Sequence, residues 1–327
     1  MRYVVGVDIG GTNIVVGTMP EDGSRILGIR KERTIGKDGP DAVVAQIARM
    51  VRESLADARP AADSEPLDVA GVGIGAPGPL DTRNGIVLLT PNLGWRNFPL
   101  RDRVRDAVGL PATLDNDANC AIFGEWWRGA AANAEIVVGL TIGTGIGGGI
   151  VFDGEIFHGA SDIAGEIGHM TIDSTGRRCK CGNYGCLEAY ASGTAIAERA
   201  VEGLQSGALS RLGTYVDGDL SSITAQIVYD AARDGDEYAL EVIHDTARFL
   251  GAGVASLINI FNPEMIVICG GVTAAGGRLF KPLAAEVARR AFRPAVERCR
   301  IVPGSLTGTA GVYGAVAAFK VQTWGAA

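Results

Sequence analysis

A chain of 327 residues is long enough for one large domain or two ordinary ones, and its 47% hydrophobic and 20% charged residues exclude the composition of a disordered protein. The formal net charge of -7 argues against a broad basic surface, so nucleic acid and membranes are not expected partners and a small molecule is. The opening MRYVVGVDIGGT lacks signal-peptide features, and no apolar stretch has bilayer-spanning length, so a cytoplasmic location is expected.

Residues 3–16 read as a strand, a Gly-Gly turn and a second strand, a hairpin. The backbone N–H groups around Gly10 and Gly11 and the Thr12 hydroxyl suit a phosphate. No helix follows the glycines at once, so a P-loop or dinucleotide fingerprint does not fit. Asp8 at the strand end is either a turn-capping carboxylate or one placed near a metal ion. Residues 41–59 carry a helical apolar period, 60–66 form a polar connector, and 69–74 form a strand ending in GAPGPLD. There Gly75 opens either a plain turn or a ligand-contacting loop. Residues 90–98, TPNLGWRNF, offer amide and aromatic contacts to a polar ring, with Trp95 as core the alternative.

A short helix over 100–108 precedes ATLDNDANCAIFGEWWRG, a strand running through Asp115, Asn116 and Asp117 into a helix. One of the three must cap that helix. Three exceed what capping needs, and a carboxylate at the positive helix end is ionised and able to accept a proton. Residues 136–151, IVVGLTIGTGIGGGIV, repeat the first hairpin with a turn at Thr144 and Gly145. The repeat suggests duplicated lobes facing each other across a cleft, with a nucleotide's phosphates between the turns.

Residues 193–204 begin the next helix, 203–222 read as a surface loop, and 238–261 as a long helix broken at Asn-Pro. A buried strand at 265–268 ends in CGGV, where Gly270 and Gly271 either admit a flat purine or form a structural turn. An amphipathic segment at 279–292, a last strand near 301–302 and an Ala-rich helix at 309–319 complete the chain. The 47 glycines are expected mainly at strand ends, in loops that cradle a ligand.

The stretch EIGHMTIDSTGRRCKCGNYGCLE holds His169, Cys179, Cys181 and Cys186 between Glu166 and Glu188. Thiolates and imidazole at this spacing suit zinc, and three neighbouring thiols cannot all pair with one another. Cys120, Cys269 and Cys299 are scattered and read as small buried residues. His158 and His244 have no such neighbours and read as plain surface or core residues.

Together these segments resemble the ROK family (repressors, open reading frames and kinases) of bacterial sugar kinases, its glucokinases above all. DIGGT at 8–12 and LTIGTGIGGG at 140–149 resemble the two phosphate motifs, and LDNDANCAIFGE at 114–125 the segment with the catalytic aspartate. EIGH at 166–169 and CKCGNYGCLE at 179–188 resemble the sugar and zinc motifs. The match spans essentially the whole chain. It implies an α/β, actin-like (ribonuclease H-like) fold of two lobes around an active-site cleft. The expected lobes are 1–116 plus 310–327, and 117–309 carrying the zinc-binding sugar loop.

The resemblance also implies Mg-ATP-dependent phosphorylation of a sugar, glucose first. Asp117 would be the base; Gly75, Asn116, Glu166, His169 and Glu188 would hold the sugar. Asp8 would hold Mg2+, Gly10, Gly11, Thr12, Thr144 and Gly145 the phosphates, and Gly270 and Gly271 the adenosine. His169, Cys179, Cys181 and Cys186 would bind a structural zinc. Fructokinase, N-acetylmannosamine kinase and a non-catalytic sugar sensor are the alternatives, and polyphosphate or ADP the alternative donors. A homodimer or homotetramer is expected. Repressor members carry an N-terminal helix-turn-helix domain, for which a first strand at Tyr3 leaves no room.

Overall fold

The computed structural model describes residues 1–59, 67–90 and 92–325; the connector expected at 60–66 and Pro91 of the 90–98 segment lie outside them. Two compact units form, one of Met1–Glu135, Gly149–Gly165 and Ser305–Ala327, the other of Ile136–Gly148 and Glu166–Gly304.

In the first unit, β1 (Arg2–Ile9) and β2 (Asn13–Pro20) make the expected antiparallel hairpin. β3 (Leu27–Arg33), β4 (Asp68–Ala76) and β8 (Ala112–Asn116) complete a sheet of order β3-β2-β1-β4-β8, with β1, β4 and β8 parallel. The two faces of this sheet differ because side chains alternate along a strand. Val5, Val7, Ile9, Val72, Ile74 and Leu114 bury one face against α1 (Pro40–Ala58) and α2 (Leu100–Val108). Each fully buried aliphatic side chain there contributes about 1.5–3 kcal/mol.

On the opposite face Gly6 and Gly73 stand where a Cβ would overlap the Val312 and Ala315 carbonyls of α10 (Ala310–Trp324). The helix therefore lies directly on the strand backbones. α3 (Asp117–Arg128) approaches α10 in the same way, through Gly124 and Gly314. The expectation that glycines collect in ligand loops is corrected here, since these sit inside strands and helices and serve close packing. A small sheet of β5 (Leu80–Asp81), β6 (Ile86–Thr90) and β7 (Trp95–Phe98) also forms. Its Trp95 is 2% exposed, the core alternative.

The second sheet has order β11-β10-β9-β12-β13, from β9 (Ile136–Ile142), β10 (Ile146–Phe152), β11 (Glu155–Ile156), β12 (Met265–Cys269) and β13 (Arg300–Pro303). β12 pairs in parallel with both β9 and β13. β10 leaves the second unit at Gly148. In chain order both sheets read third, second, first, fourth, fifth strand. The second unit adds α4 (Glu188–Ala191), α5 (Gly193–Gln205), α6 (Ala225–Arg233), α7 (Glu237–Phe261), α8 (Gly277–Arg290) and α9 (Arg293–Arg298). α7 ends where Asn262 turns left-handed ahead of Pro263. No helix among the described residues is long and apolar enough to cross a membrane.

The α3–α10 contact gives a direct test. Gly314→Ala would drive a methyl group into the Cys120 carbonyl and should destabilise the protein by about 3 kcal/mol in urea melts. Gly271→Ala, whose Cβ meets open space, should shift stability by less than about 0.5 kcal/mol.

Candidate active site

The parallel strands of the first unit end side by side, with Asp8 opposite Gly75, Gly75 opposite Asp115, and Ala76 opposite Asn116. α3 begins immediately afterwards at Asp117. Asn116 is its cap: Oδ1 accepts the N–H groups of Ala118 at 2.9 Å and Asn119 at 3.1 Å. Asp117 sits half-buried at the positive end of the helix, its Oδ1 sharing the Ala118 N–H with the cap at 2.8 Å.

Asp8 lies against Gly311 in the first turn of α10, so closely that a Cβ there would overlap its carboxyl group. Burial, reinforced by the charge of Asp117, pushes its pKa up to about 7. Gly75 leaves room for α3, since its Cβ would lie 3.1 Å from Cys120 Sγ. In the β1–β2 turn Gly11 and Thr12 are exposed, and Thr34 braces it by donating its hydroxyl to the Gly10 carbonyl at 2.8 Å.

His158, expected to be a plain residue, is not one. Its Nε2 lies 2.9 Å from Oδ2 of Asp115, itself 1% exposed. Burial pulls the imidazole pKa down, but the hydrogen bond and charge of Asp115 outweigh it and hold it above the ordinary value. No sequence signal marks the pair, which is separated by 43 residues.

In the second unit the β9–β10 turn exposes Thr144 and is tied to the start of α5. Gly193 donates its N–H to the Gly143 carbonyl at 2.8 Å, and Thr194 its hydroxyl to the Thr144 carbonyl at 2.8 Å. Glu188 Oε2 accepts the Ile146 N–H at 2.8 Å, which requires the close approach that glycine at 145 permits. Its Oε1 lies 3.7 Å from Cys179 Sγ, so Glu188 links the turn to the cysteine cluster. Gly270, at φ 94°, holds a left-handed backbone where a Cβ would also overlap the Ile142 carbonyl; Gly271 faces open space.

The ligand atoms of His169, Cys179, Cys181 and Cys186 lie within 4.8 Å of one another. Cys181 and Cys186 sulfurs are 3.7 Å apart, and His169 Nδ1 is 3.9 Å from Cys179 Sγ. A tetrahedral site with metal–sulfur bonds of about 2.3 Å has edges of about 3.8 Å, so the four fit one metal ion and leave no open position. Backbone bonds stitch the loop, among them Cys179 N–H to the Asn183 carbonyl at 2.8 Å and Gly185 N–H to the Arg177 carbonyl at 2.7 Å. With Nδ1 toward the thiols, His169 turns Nε2 toward Glu166, 4.0 Å from Oε2. Burial raises the Glu166 pKa, opposed by His169 and aided by the charge of Glu188.

The sequence profile of the ROK family matches residues 4–322. The chain belongs to the ROK family. It is 39% identical over 314 residues to a glucokinase of Halalkalibacterium halodurans, covering 96% of this chain and 93% of that protein. It resembles the solved ROK family glucokinase of Streptomyces griseus in complex with glucose and AMPPNP, at 35% identity and a TM-score of 0.81, with 96% and 98% of the two chains covered. A xylose repressor of Caldicellulosiruptor bescii is 32% identical, over 96% of this chain and 77% of its own length. As a ROK-family sugar kinase related to bacterial glucokinases, the protein has the α/β fold of its solved relatives.

Two outcomes check the site. A group whose folded pKa is raised holds a proton that the unfolded chain has lost, so the contribution of Asp8 to stability is present below pH 4 or so and fades as pH rises toward about 7. Thermal melts of the ligand-free protein should therefore fall from pH 5 to pH 8, and Asp8→Asn should flatten the decline and stabilise the alkaline end by on the order of 1 kcal/mol. Cys181→Ala should lose the bound metal in elemental analysis, and its melting temperature should drop with it.

Proposed function

We propose that this ROK-family kinase transfers the γ-phosphoryl group of ATP to the primary hydroxyl of glucose, with Asp117 as the base. The observation that carries the reading is the division of labour at the β8–α3 junction. Asn116 caps the helix, and the adjacent Asp117 carboxylate is left at its positive end to take a proton. A helix N-terminus favours the charged form of a carboxylate, and a carboxylate beside the attacking hydroxyl is what in-line phosphoryl transfer asks of the protein.

Asp8 would hold Mg2+: both influences on its carboxyl group, burial and Asp117, raise its pKa, and a hard divalent cation relieves both. When bound, the metal supplies charge neutralisation at the transferring phosphoryl group. The turns at Gly10, Gly11 and Thr12 and at Thr144 and Gly145 would contact the phosphates through backbone N–H groups. Gly270 and Gly271 would lie by the adenosine. Zinc suits the Cys3His set, and its role would be structural.

With Nδ1 of His169 given to the metal, Nε2 carries a proton and can donate to a sugar hydroxyl, with Glu166 and Glu188 as neighbouring acceptors. Asn116 Oδ1 is used by the cap, so its amide nitrogen is the atom free for the sugar. Gly75 contributes by letting α3 close on the sheet. The shared strand order of the two sheets supports an actin-like, ribonuclease H-like duplication. Support for glucose comes from relatives that are glucokinases, and the likeness to a xylose repressor favours a sugar sensor as the second reading.

A coupled assay over a panel of sugars and donors tests the proposal. Glucose with ATP should give the highest kcat/KM; preference for fructose or N-acetylmannosamine sinks the choice of sugar, and glucose binding without ATP consumption favours the sensor. Asp117→Asn should lower kcat by about 10³-fold while changing unfolding free energy by no more than about 1 kcal/mol.

A further inference from the structure

Asp115 is the member of the 115–117 run that the proposed chemistry does not use. A carboxylate only 1% exposed is costly unless its oxygens are hydrogen-bonded. Oδ1 accepts the backbone N–H of Asn116 at 2.8 Å and Nδ2 of Asn119 at 3.4 Å. Oδ2 lies 2.9 Å from His158 Nε2 and accepts Nε2 of Gln322 at 3.3 Å. The donors thus come from the junction itself, the first turn of α3, the segment after β11 and the end of α10. Of these four donors only His158 can carry a charge.

His158 is held from its own side as well. The β10–β11 hairpin delivers it, the Ala164 N–H donates to its carbonyl at 3.1 Å, and Asp162 pins the same loop by accepting the N–H and hydroxyl of Thr82 at 2.9 and 3.0 Å. Its side chain is 29% exposed and lines two surface cavities of about 420 and 610 Å³, whereas Asp115 is sealed. The pair therefore connects solvent to the backbone of the junction through one imidazole and one carboxylate.

We propose that His158 and Asp115 are positioning residues for the catalytic junction, fixing the Asn116 peptide and the first turn of α3 so that Asp117 keeps its aim. The proposal rests on the reading of Asp117 as the base.

The charged groups facing His158 are Asp115 from β8, Asp162 from its own loop, Arg83 from the β5–β6 turn and Arg101 and Arg105 from α2; Asp81 of β5 lines the second cavity. Arg101 and Arg105 are paired with Asp102, and Arg105 also with Asp106, which leaves Asp115 as the hydrogen-bonded counter-charge of His158. Protonated, the imidazole donates a charge-assisted bond to Asp115. A histidine whose folded pKa is raised adds stability below about pH 6.5 that is lost as pH rises through the folded value. The positioning bond weakens over the same interval.

Only three histidines occur in the chain, so His158 can be followed by NMR titration of the imidazole protons. It should titrate above the ordinary histidine value, and move back toward that value in Asp115→Asn. His158→Ala should lower kcat by about 10²-fold with KM for sugar and ATP within about threefold of wild type, because a misplaced base slows chemistry more than binding. His158→Gln, whose amide can still donate to Asp115, should recover most of the turnover and lose the wild-type fall in kcat as pH rises through the His158 titration. Wild-type kcat in His158→Ala, with Asp117→Asn inactive, overturns the positioning role and leaves the base standing. Turnover retained by Asp117→Asn overturns the base and the positioning role together. Should His158→Ala fail to fold, an unchanged pH profile in His158→Gln overturns the proposal.

Discussion

Three carboxylates gathered where parallel strands end, Asp8, Asp115 and Asp117, are the constraint around which the first unit is built. Like charges in a half-buried space repel one another, and each of the three is accommodated differently. Asp115 is satisfied by four hydrogen-bond donors, one of them the charged or chargeable His158. Asp117 sits at the positive end of α3. Asp8 lies against Gly311 in the first turn of α10, and burial together with the charge of Asp117 pushes its pKa up to about 7. The differences follow from one register, Asp8–Gly75–Asp115 across β1, β4 and β8, and from a helix that starts with no loop between.

That register holds only because the sheet admits two helices at very close range. Gly6 and Gly73 on the strands, Gly124 on α3 and Gly314 on α10 remove the side chains that would keep backbones apart. Close packing converts directly into site geometry, since Gly311 of the same helix touches Asp8 and Gln322 reaches Asp115. In the second unit the metal loop plays the corresponding part. Its four candidate ligands converge in a segment with little regular structure, and Glu188 ties that loop to the turn before Ile146.

The legible features were those whose signal is local. The β1–β2 hairpin, α2 over Leu100–Val108 and the long α7 follow from apolar period and turn residues within a few positions. The Cys3His set was equally legible, because its ligands fall within 18 residues and their chemistry is distinctive. β5, β6 and β7 were not, being short strands whose pairing depends on the core beneath them. α6 was missed because its nine residues fall directly after a polar stretch, with Thr224 as the one start signal.

By itself, then, the sequence determined the family, the metal-ligand set and the run of polar residues at 115–117, since motif spacing and ligand chemistry are written along the chain. Residue types alone could not rank the three residues of that run, because capping, burial and proton transfer call for the same side chains, and only the family resemblance singled out Asp117. Tertiary structure separated their contacts: Asn116 caps α3, Asp115 turns inward to His158, and Asp117 stands at the helix end, where it shares the Ala118 N–H. The reason is physical, since the partners that separate these roles, His158 and Gln322 for Asp115 and Asp8 for Asp117, lie 43, 207 and 109 residues away along the chain and come within range only when the sheet and its helices close.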